Sequence, residues 1–291
     1  MTGIVLDRME VEEAGANPDK LASAIHDQLK ASPGPVPVEA IAMALDIVEI
    51  RVEPLSNFEG ALVTTLDRNT GQILVNARSR PQRRRFTIAH ELGHFLNPRH
   101  APTGPNGFAC SRDDLRASPA GGRNGGSDRH RRQEAEANAF AIELLAPRRW
   151  LRPYVSGVAD LAQVIALSDA FEISREAGVR RYVECHRQAL AVVFSHDGRV
   201  VYGAPGREFP RLALGKDTKV PDLPMPSEGT FLSDAEEADP AQWLFGSKTV
   251  ALSVQTLHQQ GGWALTLLCA EDAEEDDGIE DTVERLSRFD R

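Results

Sequence analysis

The spacing of apolar and polar positions predicts two helices and then three strands in the first quarter of the chain. Apolar residues recur at every fourth position in 20–31, which is typical of an amphipathic helix, and 38–45 predicts a second, shorter one. Extended segments follow at 47–53, 60–65 and 72–76. The run Asp-Arg-Asn-Thr-Gly between the last two favours a hairpin turn, because Asn and Gly readily adopt turn conformations.

Two longer helices are predicted in the middle of the chain, at about 81–96 and 130–145. The first begins with a proline, which is tolerated in the first turn of a helix. Residues 101–128 between them show little periodicity, and we interpret the Gly-rich run 117–127 as a mobile insertion.

The last third of the chain is predicted to be mostly strands. Helical segments at 158–170 and 174–187 lead into it. Four strands and a closing helix are then expected at 189–195, 199–203, 248–257, 263–269 and 278–289. The pattern therefore predicts an α+β protein in three parts: a core over 1–157, a helical, helix-turn-helix-like linker over 158–188, and a C-terminal α+β domain over 189–291.

Composition and charge exclude several classes of protein. With 41% hydrophobic and 26% charged residues in 291, the chain is typical of a globular protein. Its net charge of −10 argues against a general binder of nucleic acids. The N-terminus lacks a secretory signal, no apolar run is long enough to span a membrane, and three distant cysteines make a poor disulfide scaffold. We therefore expect a cytoplasmic protein that binds neither a membrane nor, directly, a nucleic acid.

The sequence His-Glu-Leu-Gly-His within the 81–96 helix predicts a zinc site. His90 and His94 are four residues apart, so both side chains lie on one helical face and can bind one Zn²⁺. Glu91 then lies beside the metal, where it can take a proton from a water molecule. The alternative is a core helix with two ordinary histidines.

A catalytic zinc site usually has three protein ligands, and three residues are candidates for the third. Glu134 is favoured, because Glu134 and Asn138 are four residues apart on the 130–145 helix and both can face the zinc helix. Asn138 could then hydrogen-bond a zinc-binding histidine, in the manner of thermolysin-like proteases. His100, six residues after the second histidine, and Glu136, which points away from Glu134, remain alternatives.

These two motifs resemble the signature of the ImmA/IrrE metallopeptidases. Residues 85–94 (RFTIAHELGH) and 134–147 (EAEANAFAIELLAP, similar to ExxANxFAxxLLxP) carry the resemblance, which extends over about 20–185. It implies a zincin-like core with a small antiparallel sheet, Zn²⁺ as the cofactor and endopeptidase activity. The stretch between the motifs is longer than is usual for that family, which the Gly-rich run explains.

The resemblance also implies a partner. Members of this family cleave helix-turn-helix repressors of the Xre type, which turns on stress-response or mobile-element genes. Relatives in the radiation response carry a C-terminal sensor domain of the GAF type, but no motif in 189–291 supports that assignment. Two other functions remain open: a metal-containing protein that binds and inhibits a partner without cutting it, and a DNA-binding regulator with a vestigial protease core.

Several weaker features also bear on function. The strand 60–65 is a candidate for the edge strand that pairs with an extended substrate. Tyr154 could stabilise an oxyanion and Cys110 could be redox-active, but an ordinary tyrosine and an ordinary thiol are favoured. The DNA-binding interpretation depends on three arginines in the linker helices, Arg175, Arg180 and Arg181.

Overall fold

A computed structural model describes most of the chain and divides it into two compact units. The described residues are 4–30, 32–56, 58–65, 67–102, 107–111, 114–116, 128–221, 229–246 and 250–272. Unit 1 comprises the chain up to Gly157 together with Ala162–Cys185, and unit 2 comprises Val158–Leu161 together with the chain from His186 onward. Most of the segment predicted to link two domains therefore packs within unit 1.

Along the sequence of unit 1, helices precede, separate and follow the strands of a four-stranded sheet. In chain order its elements are α1 (Arg8–Glu13), α2 (Pro18–Leu29), α3 (Val38–Ala44), β1 (Ile47–Glu53), β2 (Gly60–Thr64), β3 (Gly71–Asn76), α4 (Pro81–Leu96), β4 (Gly107–Cys110), α5 (Asp128–Leu145), α6 (Arg152–Val155), α7 (Leu161–Ala170) and α8 (Arg175–Cys185). Short 3₁₀ helices lie at Asp114–Arg116 and Arg148–Trp150.

The sheet of unit 1 is mixed, which corrects the expectation of an antiparallel one. The strand order is β1-β3-β2-β4, with β1 parallel to β3 and the other two pairs antiparallel. The predicted hairpin of β2 and β3 is present, but β1 pairs with the far side of that hairpin. Because β4 pairs with the side of β2 that faces away from β3, β2 is an inner strand rather than the predicted edge strand. The edge strands in the described residues are β1 and β4.

Helix α4 is the buried centre of unit 1. It begins after the extended residue Arg80, with Pro81 in its first turn, where the missing N–H costs no helical hydrogen bond. Every residue from Thr87 to Leu96 is buried, so the C-terminal half is covered on all sides rather than along one stripe. Helix α4 packs against α3, α5, β2 and β3, which gives the hydrophobic core its central element.

Unit 2 is built on a larger β-sheet. Its elements are β5 (Ala189–His196), β6 (Arg199–Pro205), β7 (Phe231–Leu232), β8 (Glu236–Glu237), α9 (Pro240–Trp243), β9 (Val250–His258) and β10 (Trp263–Asp272). The sheet order is β6-β5-β10-β9-β7, and β8 also pairs with β9. A separate core of residues such as Val193, Trp243 and Leu268 packs against this sheet. In the described residues the unit is therefore chiefly β.

The predicted fold class, α+β with a zincin-like core, is confirmed. The insertion expected at 117–127 and the closing helix expected at 278–289 lie outside the described residues. Across the described part of the chain, no helix combines the length and the apolar character that a bilayer span requires.

Candidate metal centre

Helix α4 presents two imidazoles to the same point. His90 and His94 are fully buried and one turn apart, and their Nε2 atoms lie 3.1 Å from each other. Two buried ring nitrogens at this distance need either a shared proton or a cation between them. The helical spacing that the sequence showed therefore produces a convergent pair.

Helix α5 brings a carboxylate to this pair. Glu134 Oε2 lies 3.2 Å from His90 Nε2, and Glu134 Oε1 lies 3.4 Å from His94 Nε2. Asn138, one turn later, has its Oδ1 2.9 Å from His90 Nδ1. With the proton on Nδ1, His90 donates to Asn138 and leaves the Nε2 lone pair for a metal. The structure thus brings together the residues that the sequence selected as ligands and as their support.

The close approach of α4 and α5 depends on Gly93. A Cβ built there would lie 2.9 Å from Phe140 Cδ1, so a larger residue would push the two helices apart. The contact between Gly93 and Phe140 cannot be predicted from the sequence, because it depends on the rotation of α5 about its own axis. Gly93 therefore sets the distance at which Glu134 meets the two histidines.

His100 and Glu136 lie behind His94 rather than in the cluster. His100 Nδ1 is 2.9 Å from His94 Nδ1, on the opposite side of the ring from Nε2, and His100 Nε2 is 3.1 Å from Glu136 Oε2. This arrangement favours Glu134 over both alternatives as the third ligand. It gives His100 and Glu136 a positioning role for the ring of His94.

Cys110, which the sequence indicated only as a possible redox-active thiol, joins the cluster of metal donors. Its Sγ lies 3.8 Å from His94 Nε2, and donor atoms of His90, His94, Cys110 and Glu134 all lie within 4.8 Å of one another. All four residues are buried. Cys110 follows a segment without periodicity and ends a four-residue strand, so its pattern carried no signal of a ligand. Cysteine, histidine and glutamate side chains are nevertheless all zinc ligands in proteins.

Burial and the neighbouring charges shift the pKa values of the cluster. Burial raises the pKa of Glu91 to about 7 and lowers that of His94 to about 3. Although burial opposes it, contact with two imidazoles holds the pKa of Glu134 far below its usual range. Burial and the carboxylates raise the pKa of the Cys110 thiol well above its usual value. A bound cation would reverse this last effect, because a coordinating thiol loses its proton.

The donor set fits a zinc ion. Ligands at about 2.0–2.3 Å in a tetrahedron are separated by about 3.3–3.6 Å. The distances among His90, His94 and Glu134, from 3.1 to 3.4 Å, are close to this. Beside them, both carboxylate oxygens of Glu91 are buried without a hydrogen-bond partner of normal geometry. A buried carboxylate in this condition is costly unless a positive charge or a water molecule accompanies it.

The candidate oxyanion-binding tyrosine and the candidate DNA-contacting arginines lie outside the cluster of metal donors. The ring of Tyr154 packs against the core of unit 1, edge to face with Phe171 at 6.0 Å between centroids, rather than among the clustered donors. Of the candidate DNA-contacting arginines, Arg181 is buried and pairs with Glu143, and Arg175 donates to the carbonyl of Ile165. Two of these three guanidinium groups are therefore engaged within unit 1.

Comparison with known proteins gives a family match over this region. Residues 45–183 match the family described as the IrrE N-terminal-like domain, a peptidase family. No curated protein matches the sequence significantly. A solved structure described as a Mycobacterium tuberculosis transcriptional regulator aligns with 94% of this chain and 84% of its own, at a TM-score of 0.50 and 13% identity. At that identity the likeness concerns the fold alone.

Proposed function

We propose that the protein is a zinc-dependent endopeptidase that cleaves one specific protein partner, because residues 45–183 match the IrrE N-terminal-like peptidase family. The observation that carries this proposal is the convergence of His90, His94 and Glu134 beside the buried carboxylate of Glu91. A zinc peptidase requires at least three protein ligands for the metal and a general base beside it.

Each residue has a separate role in this proposal. His90, His94 and Glu134 hold the metal, and Asn138 fixes the ring of His90 through Nδ1. When bound, zinc polarises the scissile carbonyl and makes a water molecule more acidic. Glu91 takes the proton of the attacking water and later gives it to the leaving amine. Burial raises the pKa of Glu91, which brings this carboxyl closer to the ambient pH at which a general base works best.

The proposed substrate is a helix-turn-helix repressor of the Xre type, whose cleavage would turn on stress-response or mobile-element genes. This step rests on the family resemblance and on the fold shared with a protein described as a transcriptional regulator. Direct DNA binding is less well supported, because Arg181 is buried in an ion pair and Arg175 bonds to a backbone carbonyl.

A second candidate function is a metal protein that binds a partner without cutting it. The presence of Cys110 among the donors favours this alternative, because four protein ligands leave no open position on zinc. The two functions share the metal and differ in whether Glu91 acts on a substrate.

The experiment compares wild type with Glu91→Gln and Glu134→Ala, using Glu39→Gln as a control on the exposed face of α3. We expect Glu91→Gln to keep one zinc per chain and lose cleavage of Xre-type regulators encoded nearby. Glu134→Ala should bind zinc at least about tenfold more weakly. Cleavage by Glu91→Gln at the wild-type rate would rule out its role. Unchanged zinc affinity in Glu134→Ala would rule out Glu134 as the third ligand and leave Cys110 as the remaining donor of the cluster.

A further inference from the structure

One face of strand β4 packs against the side chain of His94. Its register opposite β2 pairs Phe108 with Leu62 and Cys110 with Gly60. Alternate residues of a strand share a face, so Phe108 and Cys110 point the same way. The ring of Phe108 stacks on that of His94, with centroids 4.5 Å apart and planes inclined by 24°. Both side chains are buried, at 3% and 1% exposure.

This stacking directs the Cys110 thiol at the metal-binding side of His94. His100 contacts Nδ1 of the His94 ring. On the other side of the ring, Sγ of Cys110 lies 3.8 Å from Nε2. A sulfur and a nitrogen bound to one tetrahedral zinc are separated by about 3.6 Å. The thiol thus lies at about the distance from His94 that a fourth ligand would occupy.

Gly60 makes room for this arrangement. It lies opposite Cys110 in the register, and a Cβ built on it would be 3.0 Å from Glu91 Oε1. With no side chain on Gly60, the Cys110 thiol and the Glu91 carboxylate share a buried space next to the two histidines. No other cysteine belongs to the cluster: within the described residues Cys185 ends α8, and Cys269 lies in β10 of unit 2.

We propose that Cys110 is the fourth protein ligand of the metal, which closes the site into a latent His-His-Glu-Cys form. This inference rests on the proposed metal site and adds a regulatory state to it. Metal binding releases the thiol proton, because only the thiolate coordinates. A zinc ion with four protein ligands is typical of structural sites, whereas catalysis requires one open position. Departure of the Cys110 sulfur from the metal is then the step that opens the site.

Cobalt provides a direct test, because Co²⁺ can occupy a zinc site and is visible in absorption spectra. The full-length apoprotein is loaded with Co²⁺ as wild type, Cys110→Ala and the control Cys185→Ala. We expect wild type and Cys185→Ala to show an intense near-ultraviolet thiolate-to-cobalt band besides the visible cobalt bands. Cys110→Ala should keep the visible bands, lose the near-ultraviolet band and bind the metal at least about tenfold more weakly.

X-ray absorption on zinc-loaded wild type makes the test independent of how the variants fold. We expect one sulfur neighbour at about 2.3 Å. Bound cobalt without the charge-transfer band, or zinc without a sulfur neighbour, would overturn the role of Cys110 and leave the His-His-Glu site intact. Failure of wild type to bind either metal would overturn both this inference and the proposed function.

Discussion

At the scale of single residues, Gly60 shows how a missing side chain shapes the centre. A Cβ there would lie 2.2 Å from Thr87 Cγ2 and 3.0 Å from Glu91 Oε1. Gly60→Ala must therefore displace either β2 or the α4 segment that carries Glu91. We expect a loss of about 1–3 kcal/mol in the free energy of unfolding and reduced cleavage with zinc retained.

Chemical denaturation, zinc analysis and the cleavage assay check this prediction together. Gly157→Ala is the matched control, because a Cβ at Gly157 meets no atom within 4 Å. We expect that control to stay within about 0.5 kcal/mol of wild type. Equal stability and activity in Gly60→Ala would show that the strand tolerates the added methyl group.

His26 makes the stability of unit 1 depend on pH. It is buried against Trp150, and its Nε2 lies 2.9 Å from the carbonyl oxygen of Leu144. Burial lowers the pKa of His26 below its ordinary value of 6.5 in the folded state. The unfolded chain therefore binds a proton first as pH falls. Stability is fully present above pH 6.5 and is lost as pH falls through that value towards the folded pKa, by up to about 1.4 kcal/mol per pH unit.

The measurement is the free energy of unfolding between neutral and mildly acidic pH, in wild type and His26→Gln. Other histidines contribute to both profiles, so the difference between the two proteins isolates His26. We expect a shallower decline in His26→Gln. The half-exposed His196 supplies the control, and a slope that falls equally in His196→Gln would contradict the assignment.

The residues of the centre differ in how far the sequence could predict them. His90, Glu91 and His94 follow from one helical motif, and Glu134 with Asn138 follows from a second, because spacing along a helix fixes a common face. Cys110 depends on the register of a four-residue strand against β2, which no local pattern encodes. Contacts between neighbouring strands of the sheet could therefore not be predicted from the sequence.

At the scale of elements, helix α8 is held in unit 1 by a buried ion pair. The guanidinium of Arg181 bonds to the carboxylate of Glu143 on α5, and its Nε donates to the carbonyl of Ala146 at 3.1 Å. Arg181 is only 1% exposed. Removing Arg181 leaves Glu143 with Arg148 as its remaining ion-pair partner, at 3.2 Å, so we expect Arg181→Met to cost about 1–3 kcal/mol of stability.

Chemical denaturation of Arg181→Met and of the control Arg180→Met tests this. Arg180 is the adjacent residue in α8 and is half-buried, so its loss should have a much smaller effect. A double variant with Glu143→Leu should recover part of the stability, because it also removes the carboxylate that has lost its buried partner. Equal effects of the two arginine substitutions would argue against a special role for the buried pair.

Elements with strong periodicity were predicted more accurately than short ones. The predicted bounds of β1 and α4 agree with the structure, because each has an uninterrupted pattern and a clear beginning. The strands β4, β7 and β8 were missed, since two to four residues cannot establish a period of two. The parallel pairing of β1 with β3 was also missed, because strand order is set by tertiary packing.

At the scale of the whole molecule, the two units have separate hydrophobic cores. The core around α4 is made only of residues from unit 1, and the core around β9 and β10 is made only of residues from unit 2. We expect a chain ending at Cys185 to fold, unfold cooperatively and bind one zinc, because all the metal donors lie in unit 1.

Circular dichroism and metal analysis of that shortened chain provide the measurement. A folded product that binds zinc as tightly as the full chain would assign metal binding to unit 1 alone. Aggregation, or loss of the metal, would show that unit 2 is needed to complete the fold of unit 1.

The donors of the metal centre come from three distant stretches of the chain, around residues 90, 110 and 134. They meet only after α4, β4 and α5 have packed, so the unfolded chain has no comparable site, and a zinc ion held there as proposed would bind the native state selectively. Such selective binding would add about 2.7 kcal/mol of apparent stability when free metal exceeds its dissociation constant a hundredfold. On this proposal, the lifetime of the protein among cellular proteases depends on metal supply, and its abundance follows the zinc that is available.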